Sequence, residues 1–187
     1  MNEFCFYFSL GWQHMLRLDA TDHLLFMMAL TATYINQSKR KLIFSLTAFT
    51  LGHLITLYLS AYNLIRLNSN WVEFFIPVTI VITSLANLIY KKTSYNYVLA
   101  LLFGLIHGMG FANTIRMMLG KHERIALPLA SFHVGLELAQ IGYIFLLLLV
   151  SYICSKFLKI SPKLWGYLLS ILALIGGLYM CYQRWPQ

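Results

Sequence analysis

Charge is scarce in this chain. Of its 187 residues only 11% are charged and 59% are hydrophobic, where a soluble domain carries about 25% and about 45–50%. That shortage excludes a sizeable water-facing domain, a disordered tail and a soluble tandem array. Acids are scarcest: Glu3, Asp19, Asp22, Glu73, Glu123 and Glu137 are all there are. Cysteine is nearly absent too. Cys5, Cys154 and Cys181 are widely spaced, contain no C-x-x-C pair and read as ordinary apolar packing residues. The start, Met1-Asn2-Glu3, lacks the basic stretch of a signal peptide. Several catalytic signatures are missing as well. There is no H-E-x-x-H, no G-x-S-x-G, no Walker loop and no G-x-G-x-x-G opening a βαβ unit. Nucleotide-driven transport by this chain alone is therefore not expected.

What is present is long apolar sequence. A bilayer crossing takes about 20 apolar residues per helix, and the hydropathy pattern divides the chain into about six such stretches. They run approximately 20–35, 41–65, 71–90, 95–119, 126–154 and 164–182, in one integral membrane domain covering residues 1–187. The first is short. Before it, Phe4 to Trp12 is apolar but brief, which suggests an interfacial or re-entrant helix. Tyr34, Trp71, Tyr90, Tyr95, Trp165 and Trp185 fall near segment ends, where amphipathic rings belong. The fold class expected is therefore all-α, a polytopic membrane protein.

The net charge of +8 would suggest nucleic acid in a soluble protein. Here the basic residues lie between apolar runs, so they read as topology signals and contacts to anionic lipid. Lys39, Arg40, Lys41, Lys91, Lys92, Lys156, Lys159 and Lys163 lie on one side; Arg17, Arg66, Arg116, Lys121, Arg124 and Arg184 lie on the other. The positive-inside rule puts the first group in the cytoplasm and both termini outside.

With that topology, ionisable residues from several spans converge between the midplane and the outer surface. Asp22 and His23 open the first span, and His14 lies just before it. His53 sits mid-way along the second, Glu73 near the outer start of the third, and His107 mid-way along the fourth. His133 and Glu137 fall in the outer half of the fifth. A central Asp, Lys or Arg costs about 2.5–3.5 kcal/mol on insertion scales. These groups must therefore face inward, pair, bind a cation or line water. Carboxylates with imidazoles are also the ligands of a borderline divalent metal.

Plainer roles compete for several of these positions. Asp19 and Asp22 fit the N-cap and N3 positions of the first span. His53, beside Gly52, fits a hydrogen-bonded structural histidine. Gly104 and Gly108 make a small-xxx-small pair that packs helices closely. His133 and Glu137, four apart on one face, fit an internal pair. Glu73 near Trp71 fits an interfacial anchor, and His122 and Glu123 fit a solvated loop.

Four blocks in order resemble the HupE/UreJ family of small bacterial membrane proteins. They are His14 through Asp22-His23-Leu24-Leu25-Phe26; Ala48-Phe49-Thr50-Leu51-Gly52-His53; Gly104-Leu105-Ile106-His107-Gly108-Met109-Gly110-Phe111-Ala112; and Phe132 through Gly135-Leu136-Glu137-Leu138-Ala139-Gln140. With Val72-Glu73 between them they span most of the chain. The resemblance implies nickel or cobalt permeation across a bacterial cytoplasmic (inner) membrane. It implies ligand positions at His23, His53, His107 and Glu137, with Asp22 and Glu73 beside them. This chain departs from the family pattern in carrying His133 where an Asn is expected.

The expected function is thus a multi-pass permease for a divalent transition metal, nickel, cobalt or zinc. Membrane lipid and the metal ion are its partners, and nucleic acid is not. One alternative is an intramembrane zinc hydrolase acting on a lipid or membrane-embedded amide or ester, with Asp22 or Glu137 as general base. Another is a metal- or haem-binding assembly subunit using His53 and His107.

Overall fold

The computed structural model describes residues 2–16, 20–35, 38–90, 97–119 and 125–186. Asp19, Arg17, Lys91, Lys92, Tyr95 and the loop residues Lys121, His122, Glu123 and Arg124 lie outside them, as does the Arg116 side chain. The described residues form seven α-helices and no strand: α1 (Glu3–Leu16), α2 (Thr21–Tyr34), α3 (Lys39–Ala61), α4 (Ser69–Ile89), α5 (Tyr97–Leu119), α6 (Ala126–Phe157) and α7 (Pro162–Gln183).

Four of them, α3, α4, α6 and α7, are long and apolar enough to cross a bilayer, and α5 carries an apolar stretch over Tyr97–Phe111. The first expected span is shorter than a membrane. At 14 residues and 1.5 Å per residue, α2 reaches about 21 Å, against a hydrocarbon core of about 30 Å. The N-terminal stretch is longer than Phe4 to Trp12 and forms a full 14-residue helix.

Caps mark some of the starts. The Asn68 side chain accepts from the Asn70 N–H, and Ser161 accepts from the Leu164 N–H with Pro162 next to it. The N-cap of α2 falls on Ala20, with no side-chain cap. Asp22 has other partners, described below.

Two glycine crossings fix the frame. A Cβ on Gly104 would lie 2.0 Å from the Phe49 carbonyl oxygen, and one on Gly108 would lie 2.5 Å from the carbonyl oxygen of His53. The small-xxx-small pair thus brings the α5 backbone directly onto α3, and the Thr56 hydroxyl donates to the Leu105 carbonyl across the same seam. Gly11 and Gly135 do the same for α1 and α6, each facing backbone of the other helix. Because Phe49 pairs with Gly104 and His53 with Gly108, α3 and α5 run parallel. Because Gly11 faces Phe132 and Phe8 faces Gly135, α1 runs antiparallel to α6. Helix α7 packs on α2 and α4.

Close crossings predict a sharp contrast between glycines. Gly104→Ala must separate two backbones and should cost about 1–3 kcal/mol. Gly142→Ala meets nothing within 4 Å, and should be neutral or stabilising by up to about 1 kcal/mol through helix propensity. Thermal unfolding of both variants in detergent checks this. Equal midpoints would show that the crossing carries no packing constraint.

Candidate functional site

The interior is apolar at its wide aromatic layer and polar just beside it. Phe26 stacks on Phe49 at 4.6 Å, and the His107 ring rests against both at 5.1 Å. From there imidazoles form a continuous chain of ring contacts. His23 is its hub, 5.1 Å from His107, 5.6 Å from His53 and 5.3 Å from His14, and His53 continues it to His133 at 5.5 Å. Helices α1, α2, α3, α5 and α6 each supply one histidine. His53 and His107 are completely buried, and His23 and His133 nearly so.

Each of three rings has one nitrogen committed to the protein. His23 Nδ1 lies 2.9 Å from Asp22 Oδ1, which also accepts from the His23 backbone N–H. A carboxylate only accepts, so Nδ1 carries the proton and the Nε2 of neutral His23 carries the lone pair. His107 Nε2 lies 2.9 Å from the Thr79 hydroxyl, which itself donates to the Ile76 carbonyl. With the hydroxyl proton on the Ile76 carbonyl, Nε2–H of His107 donates and the lone pair lies on Nδ1. His133 Nε2 lies 2.9 Å from the Thr50 carbonyl oxygen, which fixes its lone pair on Nδ1 in the same way.

Those three lone-pair nitrogens, His23 Nε2, His107 Nδ1 and His133 Nδ1, are buried and have no hydrogen-bond partner. The same is true of both ring nitrogens of His53. A buried polar atom left unmatched costs about 1–3 kcal/mol, so this concentration at one place is unusual for a purely structural core. Among the described residues, no three His, Cys, Asp or Glu side chains already gather their donors on one point as a metal-holding group.

Beside the imidazoles is a cavity of about 360 Å³, lined by His14, Asp22, His23, Glu73 and His107 together with Phe111, Thr114 and Arg184. Asp22 is 6% exposed. Its second oxygen, Oδ2, accepts from Arg184 Nη1 at 3.1 Å, and the arginine keeps 24% of its side chain exposed. Arg184 follows α7, and sequence reading assigns it only to a loop charge count. Its signal was its side of the membrane: the topology puts the start of α2 and the end of α7 at one end of the bundle.

The other expected residues are placed less centrally. Glu73 is exposed on α4 but lines the cavity. Glu137 is half-buried on α6 and makes no hydrogen bond or ion pair with the described histidines; the internal pair with His133 is replaced by the His133–Thr50 bond. Thr79 and the Thr50 carbonyl, which orient two imidazoles, were not singled out from sequence.

Past His133, Thr50 continues the polar thread. Its hydroxyl lies 3.3 Å from Gln140 Oε1, and Gln140 is completely buried with its Nε2 unmatched. The three cysteines are free.

Searches of curated proteins and of solved structures return no match. The family model described as HupE / UreJ protein matches residues 1–184, which covers all four motif blocks, and the chain belongs to the HupE/UreJ family.

Proposed function

We propose that the protein is a membrane permease for a divalent transition metal of the nickel, cobalt or zinc type, with the imidazole cluster as its intramembrane ligand set. The observation that carries this reading is the set of buried lone-pair nitrogens on His23, His107 and His133, each oriented by a bond from the opposite ring nitrogen. A carboxylate, carbonyl or hydroxyl holding the far nitrogen of an imidazole is how metal-ligating histidines are oriented. Two imidazoles on one tetrahedral ion, at about 2.0–2.1 Å from nitrogen to metal, hold their ring centroids about 5 Å apart. The His23–His107 and His23–His53 separations of 5.1 and 5.6 Å are close to that spacing.

A cation reaching the cavity meets Asp22, Glu73 and His14 first. It exchanges water for His23 and His107, then for His53 and His133, and leaves along Thr50 and Gln140. Glu137 joins this set only if its side chain turns toward His133. Imidazole-rich ligation suits nickel, cobalt and zinc, whereas magnesium and calcium prefer oxygen. In this reading the lysine-rich helix ends face the cytoplasm of a bacterial cell, the cavity faces outward, and the apolar helix faces contact lipid.

The test is ion uptake into proteoliposomes containing purified protein. Nickel or cobalt should enter, zinc should compete, and magnesium at the same concentration should not. A metal retained through dialysis with no flux would overturn transport and favour the zinc hydrolase or the assembly subunit. One variant checks the exit side. Gln140→Leu, at a buried residue that does not line the cavity, should leave metal affinity within about twofold while lowering uptake on the order of tenfold. Unchanged uptake would remove Gln140 from the route.

A further inference from the structure

The Asp22 carboxylate is already occupied by a cation belonging to the chain. Oδ1 is taken by the ring and backbone N–H of His23, and Oδ2 by Arg184. We propose that Arg184 is a tethered competitor: its guanidinium holds Asp22 at rest and must leave it before a divalent cation can bind there. The inference rests on the permease reading and adds to it a residue that sets affinity and gates access.

The physical case has three parts. An arginine keeps its charge at any working pH, so the competitor cannot be discharged by losing a proton. It sits in direct contact with the one buried carboxylate of the cavity, where low dielectric strengthens its repulsion of an incoming divalent ion. It is also the more exposed member of the pair, 24% against 9% for the Asp22 side chain, so it is the partner free to move.

A displaced guanidinium needs another acceptor. Glu73 lines the same cavity from α4 and is the other carboxylate among the described lining residues. Close by, Trp185 packs against Phe74 of α4 at 5.2 Å. That contact ties the backbone next to Arg184 to the helix that carries Glu73. The two carboxylates therefore offer Arg184 a resting and a displaced position.

Nickel titration calorimetry on the full chain in detergent tests this. Arg184→Gln should tighten nickel binding on the order of tenfold. Arg184→Lys, which keeps the charge, should stay near wild type. Glu73→Gln should weaken binding, because the guanidinium loses its alternative partner, and should weaken it by less in the Arg184→Gln background, where only the carboxylate's own pull on the cation is lost. A purely structural arginine predicts the opposite sign, with binding lost in Arg184→Gln. If wild type binds nickel and Arg184→Gln binds equally or more weakly, the competitor role is wrong and the metal reading stands. If neither protein binds nickel or cobalt, the metal reading fails and this role fails with it.

Discussion

Replacing His53 with leucine should make the protein more stable and abolish metal uptake. The ring is completely buried, and neither nitrogen has a hydrogen-bond partner. In a core that served only to hold helices together, such a side chain would be a defect. An apolar residue of similar size removes the unmatched atoms, and each costs about 1–3 kcal/mol. For the two atoms together the gain is about 2–6 kcal/mol, which for a chain of this length corresponds to a rise of roughly 4–24 °C in the unfolding midpoint. Uptake should fall by at least about a hundredfold, more than the tenfold to hundredfold cost of disturbing an outer-sphere partner. The paired outcome separates the two roles of a buried histidine. A structural histidine would lose stability on substitution and leave transport intact, and that result would remove His53 from the ligand set.

Why His53 is held there shows what the sequence could and could not convey. The motif Thr50-Leu51-Gly52-His53 placed an imidazole at depth, and Gly104 and Gly108 implied a close helix crossing. The structure joins the two: Gly108 lies against the His53 backbone, so the crossing that stabilises the bundle also fixes one histidine of the cluster. Periodicity and topology sufficed for this, because depth along a spanning helix is a linear property of the chain. They also sufficed to bring His14, His23, His107 and His133 to one level.

Other features depend on contacts between residues far apart in sequence. The hydroxyl of Thr79 lies between the Ile76 carbonyl and His107 Nε2, 28 residues away, and orients that ring. Nothing in a threonine on an apolar helix announces that role. Arg184 meets Asp22 across 162 residues, and a charge count at a helix end cannot reveal a partner. Helix length was also only partly legible. Residues 20–35 read as a short span, yet α2 ends at Tyr34 after 14 residues, supported by α3, α4, α6 and α7 rather than by its own hydropathy. Glu137 illustrates the converse. Its motif position implied a ligand, and it is half-buried with no hydrogen bond or ion pair to the described histidines.

Asp22→Asn should weaken metal binding through a proton on a different residue. In wild type both carboxylate oxygens accept, one from His23 and one from Arg184. An amide has one oxygen and one NH₂ group. The guanidinium can only donate, so it claims the oxygen; the NH₂ is turned toward His23 Nδ1, and the His23 backbone N–H loses its acceptor. That nitrogen must then accept, and the ring proton moves to Nε2, the atom that faces the cluster. The lone pair that a metal needs from His23 is lost together with the carboxylate's own charge. Affinity should fall about tenfold to a hundredfold. Stability should fall by about 1–3 kcal/mol, less than the about 3–5 kcal/mol of a fully buried broken pair, because Arg184 is partly exposed. The double variant Asp22→Asn/Arg184→Gln carries the decisive sign. Without the guanidinium, the asparagine oxygen is free to turn back to His23 Nδ1, the original tautomer returns, and affinity should recover by severalfold over the single variant. Nitrogen-15 shifts of labelled histidine report the tautomer directly and need no metal. Additive losses in the double variant, with His23 unchanged in both, would show that Asp22 acts on the ion through its charge and not by orienting His23.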